Sequence, residues 1–401
     1  MIKPIKIPIA ALFVSLFAWS LDFVSGASAQ TQLQNLPSPA PINSSLSRVV
    51  ANESGEIYLS WVSQNAGQAT LAYSQLSSEG WNTPEEISQG SDWFVNWADF
   101  PTLSVDSSGM VAHWLQLSAQ GTYDYDIRAR FYSRDRQAWT NPKTVHTDGI
   151  NAEHGFVSML PLEDGTTLIT WLDGRETKHG DPLGAMTLRA GVFDKYGTAA
   201  KEWELDHRVC DCCQTSSAMT EKGPIVVYRD RTAQEVRDIF TTRLIDGIWT
   251  SPKPIHNDNW QIAGCPVNGP SVAAKNEKVA VAWFSAKDDT PKVQLVMSND
   301  NGLSFSEPIV VESPNTNGRV GTAILDSGSI VVSWIDTTEP ARIMLSRYAT
   351  TGEFLGYTEV ARSSASRRSG FPIIEAVGNS VFITWTDISS VPQVKVARID
   401  Y

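Results

Sequence analysis

Beyond its first thirty residues the chain has no apolar run approaching the roughly 20 residues that a membrane-spanning helix needs, so no such span is expected in its body. Positive charge is also in short supply. Lys and Arg number 32 against 44 Asp and Glu, a net charge of −12, and a chain of this sign is not a nucleic-acid partner. Low-complexity sequence is confined to a short linker from Leu36 to Ser45. Cysteine is scarce, with four in 401 residues, and all four lie at Cys210, Cys212, Cys213 and Cys265. That is too few and too local to staple the whole chain.

The chain opens with the three parts of a secretory signal peptide: Lys3 and Lys6, an apolar stretch from Ile7 to Trp19, and small residues ending Ala27-Ser28-Ala29. Residues 1–29 are expected to be cleaved on export to the periplasm or the extracellular space. An uncleaved anchor is the alternative, but the apolar stretch is short for a span, and no Cys follows that could carry a lipid. Cleavage removes Lys3, Lys6 and Asp22 and leaves a net charge of −13. With 42% hydrophobic residues and 14 Trp, the remainder has ample material for a core.

Seven apolar segments end on an aromatic residue: Trp61, Trp114, Trp171, Tyr228, Trp283, Trp334 and Trp385, spaced 53, 57, 57, 55, 51 and 51 residues apart. The unit is too long for an ankyrin or leucine-rich repeat. Its segments alternate apolar and polar residues with period two, which predicts a four-stranded propeller blade. Blade five shows the pattern most clearly, with strands at Ser271 to Ala274, Val279 to Phe284, Lys292 to Ser298 and Pro308 to Glu312. Trp81-x-x-Pro84, Trp139-x-x-Pro142, Trp249-x-x-Pro252 and Phe305-x-x-Pro308 mark the start of strand four, an edge where Pro is tolerated. After Trp385 only Gln393 to Ile399 fits as a further strand, so the last blade lacks its fourth, and Thr31 to Leu36 is expected to supply it. The fold class is therefore all-β, a propeller of seven blades, with six blades and a stray sheet as the alternative. Residues 30–45 form the closing strand and linker, residues 46–401 form a single propeller domain, and a monomer is expected.

Loops from strand two to three, and crossovers from strand four to the next blade, emerge on one face. The unusual polar clusters fall there. The first set includes Asp173-Gly174-Arg175, Arg229-Asp230-Arg231, Glu235, Arg237 and Asp238; the second includes Trp97, Asp99, His154, the cysteines, Asn268 and Arg319. Each charged cluster reads either as a ligand site or as a salt-bridged turn. Trp97 and its neighbour Trp93 read either as core cover or as a sugar-stacking surface.

Ser298-Asn299-Asp300-Asn301-Gly302-Leu303-Ser304-Phe305 matches the Asp-box hairpin, and on it the chain resembles the sialidase-like propellers. The resemblance covers nearly all of the mature chain as architecture and implies binding, with possible hydrolysis, of an anionic glycan or other anionic small molecule. Sialidases hold a sugar carboxylate with three arginines, protonate the leaving group with an Asp, and use a Glu-activated Tyr as nucleophile. A planar guanidinium suits a carboxylate, and a buried carboxyl can stay protonated near neutral pH. The resemblance makes Asp173, Asp230 and Glu235 the catalytic candidates. Arg175, Arg229, Arg231, Arg237, Arg319, Asp238, Asn268 and Trp97 are the ligand-binding ones, with Arg175, Arg231 and Arg319 as the clamp. The family's Arg-Ile-Pro motif is absent from the first blade, where Leu46-Ser47-Arg48-Val49 stands instead.

The cysteines are not part of sialidase chemistry. Three readings stay open: two disulfides, a redox-active disulfide, or a copper or zinc site with Cys210, Cys212, Cys213, Cys265, His154 and His207 as ligands. The Gly and Pro residues flanking Cys265, in Gly264-Cys265-Pro266-Val267-Asn268-Gly269-Pro270, suit a rigid loop whose backbone approaches something closely. A ligand, a metal and the neighbouring cysteine loop are the candidates for that something. Alternatively the rim is an interaction surface without chemistry.

Overall fold

The computed structural model describes residues 31–179 and 184–401, with Met1 and Pro4. The signal-peptide segment 1–29 therefore lies outside the described residues, apart from those two. Seven antiparallel sheets follow one another along the chain, six built from strands in sequence order and the last completed by the N-terminal strand. Blade three is the regular case, with His154–Pro161, Thr167–Asp173, Thr187–Phe193 and Ala199–Asp206 as strands one to four. Blade five matches the sequence reading to within a residue or so at each end: Ser271–Lys275, Lys278–Ser285, Lys292–Ser298 and Ile309–Glu312. The ring closes as the missing fourth strand requires. Gln32–Leu36 pairs antiparallel with Gln393–Asp400, from Gln32 opposite Asp400 to Leu36 opposite Val396.

The Trp-x-x-Pro signature has a visible structural effect. In blades one, two and four it splits strand four into two short pieces, such as Gly80–Trp81 and Glu85–Gly90. Blades three and six lack it and keep continuous strands at Ala199–Asp206 and Phe354–Arg362. Proline removes a ladder donor, so an interrupted edge is the expected cost.

Burial follows the repeat. Seven apolar clusters lie between neighbouring blades, and each contains one repeat aromatic, with Trp61 between blades seven and one, Trp171 between two and three, and Trp283 between four and five. All seven repeat aromatics are buried. Period-two alternation supplies both faces of each sheet, which is why the core is divided among seven interfaces. In the Asp-box hairpin, at the turn from strand three to four of blade five, Asp300 accepts from Ser298 Oγ at 2.6 Å and from Ser304 N at 3.0 Å. Burial pushes Asp300 up, but these hydrogen bonds outweigh it and hold the carboxyl at about 2.

The two polar loop sets share one face, called here the upper rim. All three short 3-10 turns among the described residues, Arg175–Lys178, Lys287–Asp289 and Arg367–Ser369, lie in its loops.

Candidate functional site

The cysteine loop is anchored to strand two of blade four, where Cys210 N donates to Arg229 O at 3.0 Å. The Sγ atoms of Cys210, Cys212 and Cys213 lie within 4.8 Å of one another. Cys210 is 3.0 Å from Cys213 and 3.9 Å from Cys212, and all four cysteines are free thiols. The Cys265 loop is held against them by Gly269, whose N donates to Gln214 Oε1 at 2.9 Å. A Cβ at Gly269 would stand 2.0 Å from Gln214 O, so only glycine allows this approach. The cysteine loop, one of the three candidates for that close contact, is met there by the Cys265 loop.

Two guanidiniums flank the sulfurs. Arg237 Nη1 donates to Cys210 Sγ at 3.3 Å, and its Nη2 meets Glu235 Oε2 at 2.8 Å. Arg229 is buried, and its guanidinium donates to the carbonyls of Asn268, Arg237 and Phe284. Burial works against ionisation of Cys210, but donation from Cys212 and Cys213 and the Arg229 charge outweigh it and hold that thiol well below its ordinary range. Cys212 and Cys213 are pushed up. Arg231 closes the outer side with two bonds to Asp211, at 3.0 and 2.9 Å, and one of 2.7 Å to Glu235.

Beside this centre lies a carboxyl pair, of which the sequence singled out Asp99 as a rim residue but not Glu153. Tyr125 Oη meets Asp99 Oδ2 at 2.9 Å and Glu153 Oε1 at 3.0 Å. A single phenol proton cannot serve two carboxylates fully. Burial raises Asp99 to about 7 and Glu153 to about 8, so acid forms persist at neutral pH. Gly155 permits the contact, because a Cβ there would stand 1.9 Å from Asp99 Oδ2.

The third cluster joins blades two and three. His146 and His154 stack with ring centroids 3.6 Å apart. Asp148 Oδ2 lies 3.0 Å from His146 Nδ1, 3.2 Å from His154 Nε2 and 3.1 Å from Arg175 Nη2. Asp173 is fully buried and accepts from Trp171 Nε1 at 2.8 Å and from Arg175 Nε and Nη2 at 2.8 and 2.7 Å. Burial pushes Asp173 up, and Arg175, His154 and Trp171 together bring it below the usual carboxylate range. Asp126, His146 and His154 offer three nitrogen and oxygen donors close enough together to hold a divalent ion.

His154 thus sits with His146, Asp148 and Asp173. His207 has a largely exposed side chain and is 3.7 Å from Asp206. Arg319, at φ 58°, donates to the carbonyls of Ser366, Gly370 and Ala365 and to Ser369 Oγ. Its guanidinium lies 5.0 Å from the Trp97 ring centroid, and Trp97 itself stacks on Phe371. Asn268 Oδ1 accepts Arg319 N at 2.7 Å. Asp238 receives the backbone N–H groups of Asn259 and Trp260, an anchoring role. Asp230, near Asp206 and Asp238, is raised to about 7 by burial and then by those neighbours.

An axial cavity of about 430 Å³ runs along the inner strands. Apolar side chains and glycines make up most of its lining, Phe100 and Phe371 among them, and Thr102, Ser104, Thr215 and Ser271 add hydroxyls, Gln214 an amide and Lys275 a second cation. Arg48 also lines it, and its buried Nε has no hydrogen-bond partner. Glu375 shares the cavity and is raised to about 7 by burial, against the pull of Arg48. No sequence signal beyond its place in Leu46-Ser47-Arg48-Val49 singles Arg48 out.

No family model matches the chain, and neither does any curated protein. Solved structures do. The chain is similar to BP39L lectin from Burkholderia pseudomallei, with a TM-score of 0.63 at 9% identity over 90% of this chain and 97% of the lectin. It is similar to polysaccharide lyase Uly1, with a TM-score of 0.53 at 8% identity over 86% and 88% of the two chains. The Hadza microbial sialidase Hz136 is more distant, with a TM-score of 0.40 at 14% identity over 74% and 64%. At these identities the likeness is one of fold: the class is β-propeller.

Proposed function

We propose that the protein binds an anionic glycan in the axial cavity, with Arg48 as the counter-charge. The carrying observation is that Arg48 lines the cavity with an unpartnered buried Nε, set among the Glu375 carboxyl and the Thr102, Ser104 and Thr215 hydroxyls in an otherwise largely apolar lining, a mix of charge, hydroxyls and aromatic rings that suits a carboxylated sugar. The propellers of a lectin and of a polysaccharide lyase lend support at the level of fold. Residues 1–29 favour an exported protein, which is where extracellular or periplasmic glycans are met.

Sialoside hydrolysis is the narrower version of this reading. Arg175 is committed to Asp173 and Asp148, Arg231 to Asp211 and Glu235, and Arg319 to backbone carbonyls. Their commitments favour binding at Arg48 over turnover by a three-arginine clamp. Calorimetry of the mature chain with uronate- and sialate-bearing oligosaccharides tests the proposal. Arg48→Ala is expected to weaken carboxylated ligands by about tenfold to a hundredfold and to leave neutral sugars unaffected. Equal affinity in the variant, or no glycan binding at all, overturns it. Fluorogenic sialosides are expected to remain uncleaved.

A further inference from the structure

The cysteine centre contains a buried positive charge that the protein's other groups leave unanswered. Arg229 is 1% exposed, and the hydrogen bonds of its guanidinium go to carbonyl oxygens. No ion pair among the described residues includes it, whereas Arg231 and Arg237 both meet carboxylates. A buried cation without a counter-charge is costly. Its guanidinium also stands over the Trp260 ring, 5.0 Å from the centroid, which softens the cost without cancelling the charge. The cysteine loop is tied to the same residue, Cys210 N donating to Arg229 O at 3.0 Å, and a thiolate there would supply the missing charge.

We propose that Cys210, Cys212 and Cys213 form a thiolate site for a thiophilic d10 metal ion, Cu(I) or Zn(II). Both ions take sulfur donors. With metal–sulfur bonds of about 2.3 Å, the sulfurs of a three-thiolate site stand roughly 4 Å apart. Cys210 and Cys212, at 3.9 Å, already have that spacing, while Cys213, 3.0 Å from Cys210, must move outward by about 1 Å. A Cys210–Cys213 disulfide needs an inward movement of about the same size. Electrostatics separates the two outcomes. A disulfide is neutral, would leave Arg229 unanswered, and would take the charge from the sulfur that Arg237 touches. A thiolate set answers both guanidiniums, and the ion replaces whatever thiol protons remain.

The test uses the mature full-length chain. Native mass spectrometry before and after denaturation with thiol alkylation is followed by anaerobic titration of the reduced protein. Cu(I) is delivered against a competing Cu(I) chelator and Zn(II) against a fluorescent zinc chelator. A single ion bound per chain, with a sulfur-to-metal ultraviolet band for copper or a chelator-competed equivalent for zinc, is the expected result, and the tighter arm identifies the ion. Cys212→Ser and Cys213→Ser should each weaken binding by about a hundredfold, with thermal melts confirming that the variants fold. A native mass short by two or four hydrogens with neither ion bound after reduction overturns the proposal. So does undiminished affinity in both folded variants.

Discussion

The His146–His154 cluster and the cysteine centre are neighbours on one rim, linked through Glu153, which precedes His154 in the chain and is raised in part by Asp211 and Cys265. Their electrostatics differ. In the histidine cluster Arg175 is answered by Asp173, Asp148 and Glu202, and Asp173 also takes the Trp171 N–H. The arginine charge is paired within the network. In the cysteine centre Arg229 reaches carbonyls, and the charge that would balance it depends on the state of three sulfurs. Both regions looked alike as clusters of charged loop residues. The lesson is that a cluster with its charges paired is part of the scaffold, and a cluster with an unmet charge is where a ligand has something to do.

The difference breaks most visibly at Asp173. Asp173→Ala leaves Arg175 short of its two-bond partner and the Trp171 N–H without an acceptor, and is expected to cost about 3–5 kcal/mol in denaturant unfolding. A loss under about 1 kcal/mol, the scale of exposed pairs, would mean that the Asp173–Arg175 pair is not the buried anchor described. Gly269→Ala probes the other side. Its methyl would meet Gln214 O at 2.0 Å, so the Cys265 and Cys213 loops must part, at about 1–3 kcal/mol. Accelerated alkylation of Cys213 should accompany that loss, and unchanged stability and reactivity would show that the loops are not locked together there.

A smaller effect lies in the pH profile. Burial, then the neighbouring His154, pushes His146 down to about 4, against the pull of Asp148 and Asp126. As pH falls from about 6.5 toward 4, the unfolded chain takes up a proton that the folded chain refuses, so stability falls. Asp99 and Glu153 act in the opposite sense. Raised to about 7 and about 8, they contribute stability that is fully present below about pH 4 and is lost as pH rises through those values. Each slope is at most about 1.4 kcal/mol per pH unit. Denaturation midpoints from about pH 4 to 8 should flatten on the acid side in His146→Gln and on the neutral side in Asp99→Asn. A profile that neither variant alters would remove both assignments.

Much of the fold was legible because it is local and repeated. Trp61 through Trp385 recur at blade spacing, and each lands between two sheets. The shortfall of strands after Trp385 announced the strand that Gln32–Leu36 supplies. The site was legible only as a face. Tyr125 gave no signal, because its meaning comes from Asp99 and Glu153, each 26 or more positions away in the chain. Asp148 and His146 carried no signal of their own in the sequence; His154 gives them one by stacking on His146 and meeting Asp148 Oδ2 at 3.2 Å. Arg319 and Arg175 were clamp candidates on the resemblance, with a salt-bridged turn as the other reading of Arg175, and their partners are visible only in space.

Sequence alone therefore determined the blade, its sevenfold repetition and the rim on which polar residues gather, since strand period, turn chemistry and the aromatic at each strand end act over a few residues. Tertiary structure decided which charges are paired and which are not. Pairing depends on ångström distances between loops of different blades, set by the closure of the ring and by close approaches such as Gly269 on Gln214. At those distances Coulomb energies and hydrogen bonds, which fall off steeply with separation and burial, separate a structural arginine from one that awaits a partner.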